Sequence, residues 1–178
     1  MNTMSLMQEL SSVIRDIPDF PKKGIMFKDI TPLLKDPRKY RQAIDGLAAS
    51  LKPYQPEAIV SMEARGFLFG AALAYALGIG FVPVRKKGKL PSKTYGVEYA
   101  LEYGKDTLEI HVDALTPGEK CVVVDDVLAT GGTAAAVAEL VSKAGGKVTA
   151  FGFLIELSFL DGRKKISSQA PISSLITY

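Results

Sequence analysis

Residues 121–136, CVVVDDVLATGGTAAA, constrain this chain more than any other stretch. Four apolar residues suited to a buried strand run into a Gly/Thr turn, and an alanine-rich helical segment follows. In open parallel sheets such a junction sits at the carboxyl edge, where ligands bind. The turn offers backbone N–H groups, the hydroxyls of Thr130 and Thr133, and two glycines, Gly131 and Gly132, that permit close approach. The positive end of the following helix points into it. That set suits a phosphate monoester without a lysine, and it matches neither G-x-x-x-x-G-K-[ST] nor G-x-G-x-x-G. Asp125 and Asp126 stand directly upstream and would repel a phosphate. They suit a neighbouring diol, because a carboxylate accepts two hydroxyl hydrogens at once. Diol plus phosphate reads as a ribose 5-phosphate. A strand-end turn with a capping threonine would account for the aspartates alone, but not for the whole string.

Composition narrows the partners. The chain has 178 residues, 47% hydrophobic and 23% charged, enough for one domain with its own core. An excess of 22 basic over 19 acidic residues is too slight to argue for nucleic acid. The single cysteine, Cys121, excludes an internal disulfide and a cysteine-based zinc site, and its place in an apolar run predicts a buried, inert thiol. The single histidine, His111, lies in the alternating LEIHV and reads as a strand-face residue; no G-x-S-x-G accompanies it. The opening MNTMSLMQELSSVIR has neither a basic n-region nor a continuous apolar run, and no window approaches the roughly 18 residues of a membrane span. The expectation is a cytoplasmic protein without membrane or nucleic-acid partners.

Periodicity supplies the frame. Leu6, Leu10, Val13, Ile14 and Ile17 share a helical stripe over 5–17, whereas 18–32, with three prolines and a glycine, predicts an irregular apolar flap. Helices are predicted over 37–51, 65–78 and 133–144. Strands are predicted over 57–62, 79–85, 107–112, 121–125 and, after a turn, towards 157. Helices alternating with strands predict an α/β fold on a mainly parallel sheet. No linker divides the chain, so one domain is expected over 1–178, with a separate flap over 1–36 and a flexible loop excursion over 86–106.

Four further clusters carry chemistry. EARGFLFG places Glu63, Ala64 and Arg65 at a second strand-to-helix junction, where Arg65 either grips an anion with its guanidinium fork or caps a carbonyl. RKKGKLP gathers Arg85, Lys86, Lys87 and Lys89; alone it reads as a solvated loop, beside two anion sites as a pyrophosphate contact. Phe27, in GIMFKD, offers a ring for stacking on a base, worth about 1–3 kcal/mol, or is an ordinary core aromatic. Glu102, in YALEYGKD, reads alone as a surface residue.

VVVDDVLATGGTA resembles the phosphoribosyl-pyrophosphate (PRPP) signature of type I phosphoribosyltransferases. FPKKGIMFKDITPLL, EARGFLFG, VPVRKKGKLP and LEYGKDTLEIHVDAL follow that family in order and spacing, from about Asp19 to Leu157. The resemblance implies the type I phosphoribosyltransferase fold: a mainly parallel sheet flanked by helices, with a base-covering hood over 1–36 and a lid over 86–106. It implies purine salvage, with transfer of the phosphoribosyl group from PRPP to adenine, giving AMP and pyrophosphate. By the same resemblance Asp125 and Asp126 hold the ribose hydroxyls, and Ala129, Thr130, Gly131, Gly132 and Thr133 hold the 5-phosphate. Glu63 and Ala64 form a pyrophosphate loop with a non-proline cis peptide between them, and Arg65 lies near base and pyrophosphate. Arg85 and Lys89 reach pyrophosphate across a homodimer interface. Met26, through its backbone, Phe27 and Leu157 bind adenine, while Glu102 handles the purine proton beneath the lid. Mg²⁺ would arrive with PRPP, without a direct protein ligand and with a water-mediated contact to Asp125. Lys28, standing where some relatives have arginine, keeps open a 6-oxopurine or xanthine phosphoribosyltransferase, which needs a donor for the 6-oxo group. A non-catalytic PRPP- or nucleotide-binding regulator is the other alternative. The final DGRKKISSQAPISSLITY resembles the family least and is read as a short strand on the base side.

Overall fold

Local chemistry sets where the elements begin and end. The computed structural model describes the backbone of residues 3–100 and 105–178 and the side chains of 6–99 and 106–178. Helix α1 (Thr3–Ser11) precedes a small antiparallel pair, β1 (Arg15–Pro18) and β2 (Met26–Asp29). Helix α2 (Thr31–Lys35) leads into α3 (Pro37–Leu51). Asp36 caps α3, its carboxylate accepting from the Arg38 and Lys39 N–H groups at 2.9 and 3.1 Å, and Pro37 brings a preset φ to the first position. Then come β3 (Ala58–Met62), α4 (Arg65–Leu77), β4 (Gly80–Lys86), β5 (Thr94–Ala100) and β6 (Lys105–His111). The chain continues through β7 (Lys120–Leu128), α5 (Gly132–Lys143), β8 (Lys147–Glu156), α6 (Gly162–Ile166) and β9 (Ile172–Thr177).

Seven strands form one sheet in the order β5-β6-β4-β3-β7-β8-β9. The five strands from β4 to β9 run parallel, and β6 and β5 extend one edge antiparallel, as the alternation of helices and strands predicted. Direction reverses between β3 and β7, since β3–α4–β4 crosses one way and β7–α5–β8 the other. Their carboxyl ends therefore open between two helix N-termini. Each face of the sheet buries its own set of side chains. Ile59, Val122 and Val124 pack with Leu47, Leu51, Phe69 and Leu73 of α3 and α4. Val60, Val123, Phe151 and Phe153 pack with Val137, Leu140 and Val141 of α5. Successive residues of one strand thus point to opposite cores, which is why the central strands read as unbroken apolar runs.

Four expectations are corrected. Helix α1 stops at Ser11 instead of running to Ile17. The Ser11 and Ser12 hydroxyls donate back to the carbonyls of Met7 and Glu9, and residues 15–18 extend to pair with β2. The flap over 18–32 is not irregular throughout, because the cross-strand pairs Arg15–Asp29 and Asp16–Lys28, each 2.7 Å, hold β1 and β2 together. The excursion over 86–106 is not a loop throughout: β5 and β6 pair residue by residue from Thr94↔His111 to Ala100↔Lys105, with Val97 and Leu108 buried. Strand β7 runs on to Leu128, past the expected end at 125, because Val127 and Leu128 pair with Ile155 and Glu156 of β8. Cys121 is buried and unpaired, and burial pushes its thiol up to about 12, which makes it inert as expected. Among the described residues no helix is long and apolar enough to cross a membrane.

The seating of α4 on the sheet depends on one missing side chain. A Cβ at Gly70 would stand 2.7 Å from that of Ser61, which is fully buried and donates its hydroxyl to the Val124 carbonyl at 2.7 Å, tying β3 to β7. Gly70→Ala is expected to lower unfolding free energy by about 1–3 kcal/mol through overpacking, measured by urea denaturation. An unchanged midpoint would show that α4 can lift off β3 at no cost.

Candidate active site

Between the carboxyl ends of β3 and β7 lies a cavity of about 350 Å³. The end of β7 brings Asp125 and Asp126 to its floor. One end is the turn Ala129–Thr133, the other the turn Glu63–Arg65, and Met26, Phe27 and Leu157 line the remaining wall. Every described site residue predicted from the sequence lines this cavity except Arg85 and Lys89. Glu102 lies outside the described residues.

Both helices that start at the cavity lack a side-chain cap. Ala64 and Gly131 hold the N-cap positions of α4 and α5 without a side-chain hydrogen bond, in contrast to Asp36 on α3. Their first N–H groups are left for an anion. The peptide between Glu63 and Ala64 is cis, as the resemblance implied. Gly131 adopts φ +76°, and a Cβ there would stand 2.5 Å from the carbonyl oxygen of Gly162. A Cβ at Gly162 would in turn meet the Gly131 nitrogen at 2.8 Å. Backbone therefore packs directly on backbone beneath the turn.

The carboxylate pair is electrostatically tense. Asp126 is 4% exposed; Asp125 keeps slight solvent contact deep in the crevice. Burial drives the Asp125 carboxyl well above its usual range, and the charge of Asp126 adds to this. Burial also raises Asp126, against the pull of Arg65. The Asp125 Oδ1 accepts the Asp126 N–H at 2.9 Å. Arg65 Nε stands 2.9 Å from Asp126 Oδ2, yet that buried oxygen has no aligned hydrogen bond. It is an acceptor open to a ligand hydroxyl. The Arg65 guanidinium also lies 5.2 Å from the Phe27 ring centroid, so one side chain spans from the carboxylate pair to the Phe27 wall.

Arg85 and Lys89 sit outside the lining. Arg85 donates to the Glu63 carboxylate at 2.9 Å and to the Lys89 carbonyl at 2.9 Å, and the other Glu63 oxygen accepts the Lys86 N–H at 2.7 Å. Desolvation opposes ionisation of Glu63, but the Lys86 N–H and Arg85 outweigh it and hold its carboxyl below the usual range. The Glu63 side chain thus faces the basic stretch. Lys28 lines the cavity, but its ammonium is engaged by Asp16 at 2.7 Å and by the Tyr178 ring at 3.7 Å, so it is not a free donor for a 6-oxo group.

Sequence reasoning missed the support beneath the turn Ala129–Thr133. Glu156, 5% exposed, accepts from Arg163 Nε at 2.8 Å and from the Ser174 hydroxyl at 2.7 Å, anchoring the helix that begins at Gly162. Gly162 gives no sequence signal, because its contact is made by backbone alone. Phe153, also unpredicted, lines the cavity from β8.

Residues 33–174 match the family model of the phosphoribosyl transferase domain. The chain belongs to the phosphoribosyltransferase family. It is 56% identical over 170 residues to the adenine phosphoribosyltransferase of a Synechococcus species, covering 96% of this chain and 99% of that one. It also resembles the crystal structure of adenine phosphoribosyltransferase from Thermoanaerobacter pseudethanolicus, at TM-score 0.94 and 57% identity, covering 97% of this chain and 99% of the other. The Saccharomyces cerevisiae enzyme, complexed with an imino-altritol bisphosphate and adenine, superposes at TM-score 0.92 with 42% identity and the same coverage.

The Arg163 and Ser174 hydrogen bonds hold the Glu156 carboxyl below its ordinary 4.5 despite burial. Its stabilisation is present above about pH 4.5 and is lost as pH falls through the lower folded value. Glu156→Gln is expected to be about 1–3 kcal/mol less stable at pH 7, discounted for the half-exposed Arg163, with a shallower acid limb. Denaturation across pH 3–7 measures both, and parallel acid limbs would contradict the pairing.

Proposed function

We propose that the chain transfers the 5-phosphoribosyl group of PRPP to adenine, forming AMP and releasing pyrophosphate. The observation that carries this reading is the joining, in one cavity, of an acceptor pair for a diol, two uncapped helix starts for phosphates and an apolar slot for a base. The anomeric C–O bond to pyrophosphate breaks as the purine nitrogen bonds to that carbon, through an oxocarbenium-like state of the kind met in glycoside chemistry. Asp125 and Asp126 accept the ribose hydroxyls and favour the developing positive charge. Ala129, Thr130, Gly131, Gly132 and Thr133 hold the 5-phosphate, and binding energy gained there orients the reacting carbon. The turn at Glu63 and Ala64 receives pyrophosphate, with Arg65 between it and the base. Phe27 and Leu157 enclose adenine. Strand β2 pairs only with β1, so the Met26 backbone is available to read the edge of the base. Glu102 takes the proton the purine loses.

Among the described residues no cluster of three His, Cys, Asp or Glu side chains could hold a metal. Mg²⁺ keeps several waters and takes substrate phosphates, so it would arrive on PRPP without a direct protein ligand, and Asp125 is the residue that would meet it through water. When bound, Mg²⁺ supplies neutralising charge to the leaving pyrophosphate. A cytoplasmic location accords with the unpaired Cys121.

A homodimer is supported by the outer face of α4, where Leu68 and Tyr75, seven residues apart, are 42% and 90% exposed. Arg85 and Lys89 would then serve the partner's site. Tyr75→Glu is expected to lower the sedimentation coefficient to that of a monomer, and an unchanged value would remove α4 from the interface.

Incubation with PRPP, Mg²⁺ and each purine base in turn, followed by chromatography, is expected to give AMP from adenine alone. Glu102→Gln should lose about 10²–10⁴-fold in kcat at saturating substrates. Turnover of hypoxanthine or guanine would discard the base pocket; PRPP binding without turnover would make the chain a regulator.

A further inference from the structure

Lys28 stands on β2 beside Met26 and Phe27, and its side chain is only 11% exposed. Its ammonium donates to Asp16 at 2.7 Å, directly opposite on β1, and lies 3.7 Å from the ring centroid of Tyr178. The ion pair joins two strands that both belong to the hood. The ring contact is different, because Tyr178 follows β9 on the main sheet, with which the β1–β2 pair shares no strand pairing. Tyr178 is itself fixed. Its N–H donates to the Glu156 carbonyl at 2.9 Å, and its carbonyl accepts from the Ser158 N–H at 2.9 Å and hydroxyl at 2.6 Å. Ser158 adjoins Leu157, on the wall of the cavity.

We propose that Tyr178 is a positioning residue whose ring face holds the Lys28 ammonium and so seats β2 over the base end of the cavity. This rests on the reading of that end as the adenine pocket. The ring acts through Lys28 and touches no reacting atom. The phosphate turn is supported separately by Gly162, so losing the ring displaces the base-reading strand and leaves the PRPP end in place. A cation–π contact of this kind corresponds to an effect of about 3- to 30-fold. It needs the aromatic face and not the hydroxyl.

The test compares Tyr178→Leu with Tyr178→Phe in the full chain. The leucine variant is expected to raise KM for adenine about 3- to 30-fold while KM for PRPP stays within about twofold, and the phenylalanine variant should match the parent protein. A leucine variant with the parent KM for adenine would overturn the proposal. So would a phenylalanine variant as impaired as leucine, or a joint rise in both KM values. A second readout does not depend on turnover: limited trypsin cleavage at Lys22 and Lys23, between β1 and β2, should be faster in the leucine variant alone. If the parent protein forms no AMP, the adenine reading fails, and the cleavage rates still decide whether the ring holds the hood; equal rates in all three proteins would sink it.

Discussion

Two adjacent carboxylates at the end of a buried central strand are the constraint around which the molecule is arranged. Desolvation opposes the ionisation of both, and the charge of Asp126 further opposes that of Asp125. The strand carrying them cannot retreat, because pairing to β8 continues to Leu128. The neighbouring helix makes room: a Cβ at Gly66 would stand 2.7 Å from the Asp125 carboxylate oxygen. Arg65, one residue earlier, offsets part of the charge without satisfying Asp126 Oδ2. The carboxylate pair is therefore short of donors, which suits a ligand that brings hydroxyls. Such local tension is carried by the packing of the two cores on either side of the strand.

Side-chain capping is omitted where helices start at the cavity. Helix α3 has Asp36 and Pro37 at its start, as a solvent-facing helix should, while α4 and α5 begin with Ala64 and Gly131 and leave their N–H groups free. Because the crossovers leave β3 and β7 in opposite directions, those two starts face one another across the cavity. The proposed pyrophosphate and 5-phosphate, at opposite ends of one ribose, suit that arrangement.

The sequence was legible where one local rule governed. Helix α3 matched its predicted bounds because proline, an aspartate cap and a 3.6-residue stripe agree. The end of β7 was misplaced because two carboxylates look like a strand terminus, whereas the pairing of Val127 and Leu128 is a tertiary fact. Residues 94–106 looked loop-like from their glycines, tyrosines and charges; the burial of Val97 against the core decides for paired strands. The carboxylates, the phosphate turn and the Glu63–Arg65 turn were readable because their chemistry lies in contiguous residues. The engagement of Lys28 by Tyr178, 150 positions away, and the seat made by Gly162 were not, since neither depends on local pattern.

The backbone-on-backbone contact between Gly131 and Gly162 has a consequence for how such a protein diversifies. At the phosphate end no side chain can be introduced at either glycine without moving the other segment, so that end is closed to stepwise change. The opposite wall is made by single side chains from separate elements: Phe27 from β2 and Leu157 just beyond β8. Each can be exchanged while the other stays in place. A lineage can therefore explore new acceptors one wall at a time while its grip on the sugar phosphate remains the inherited part.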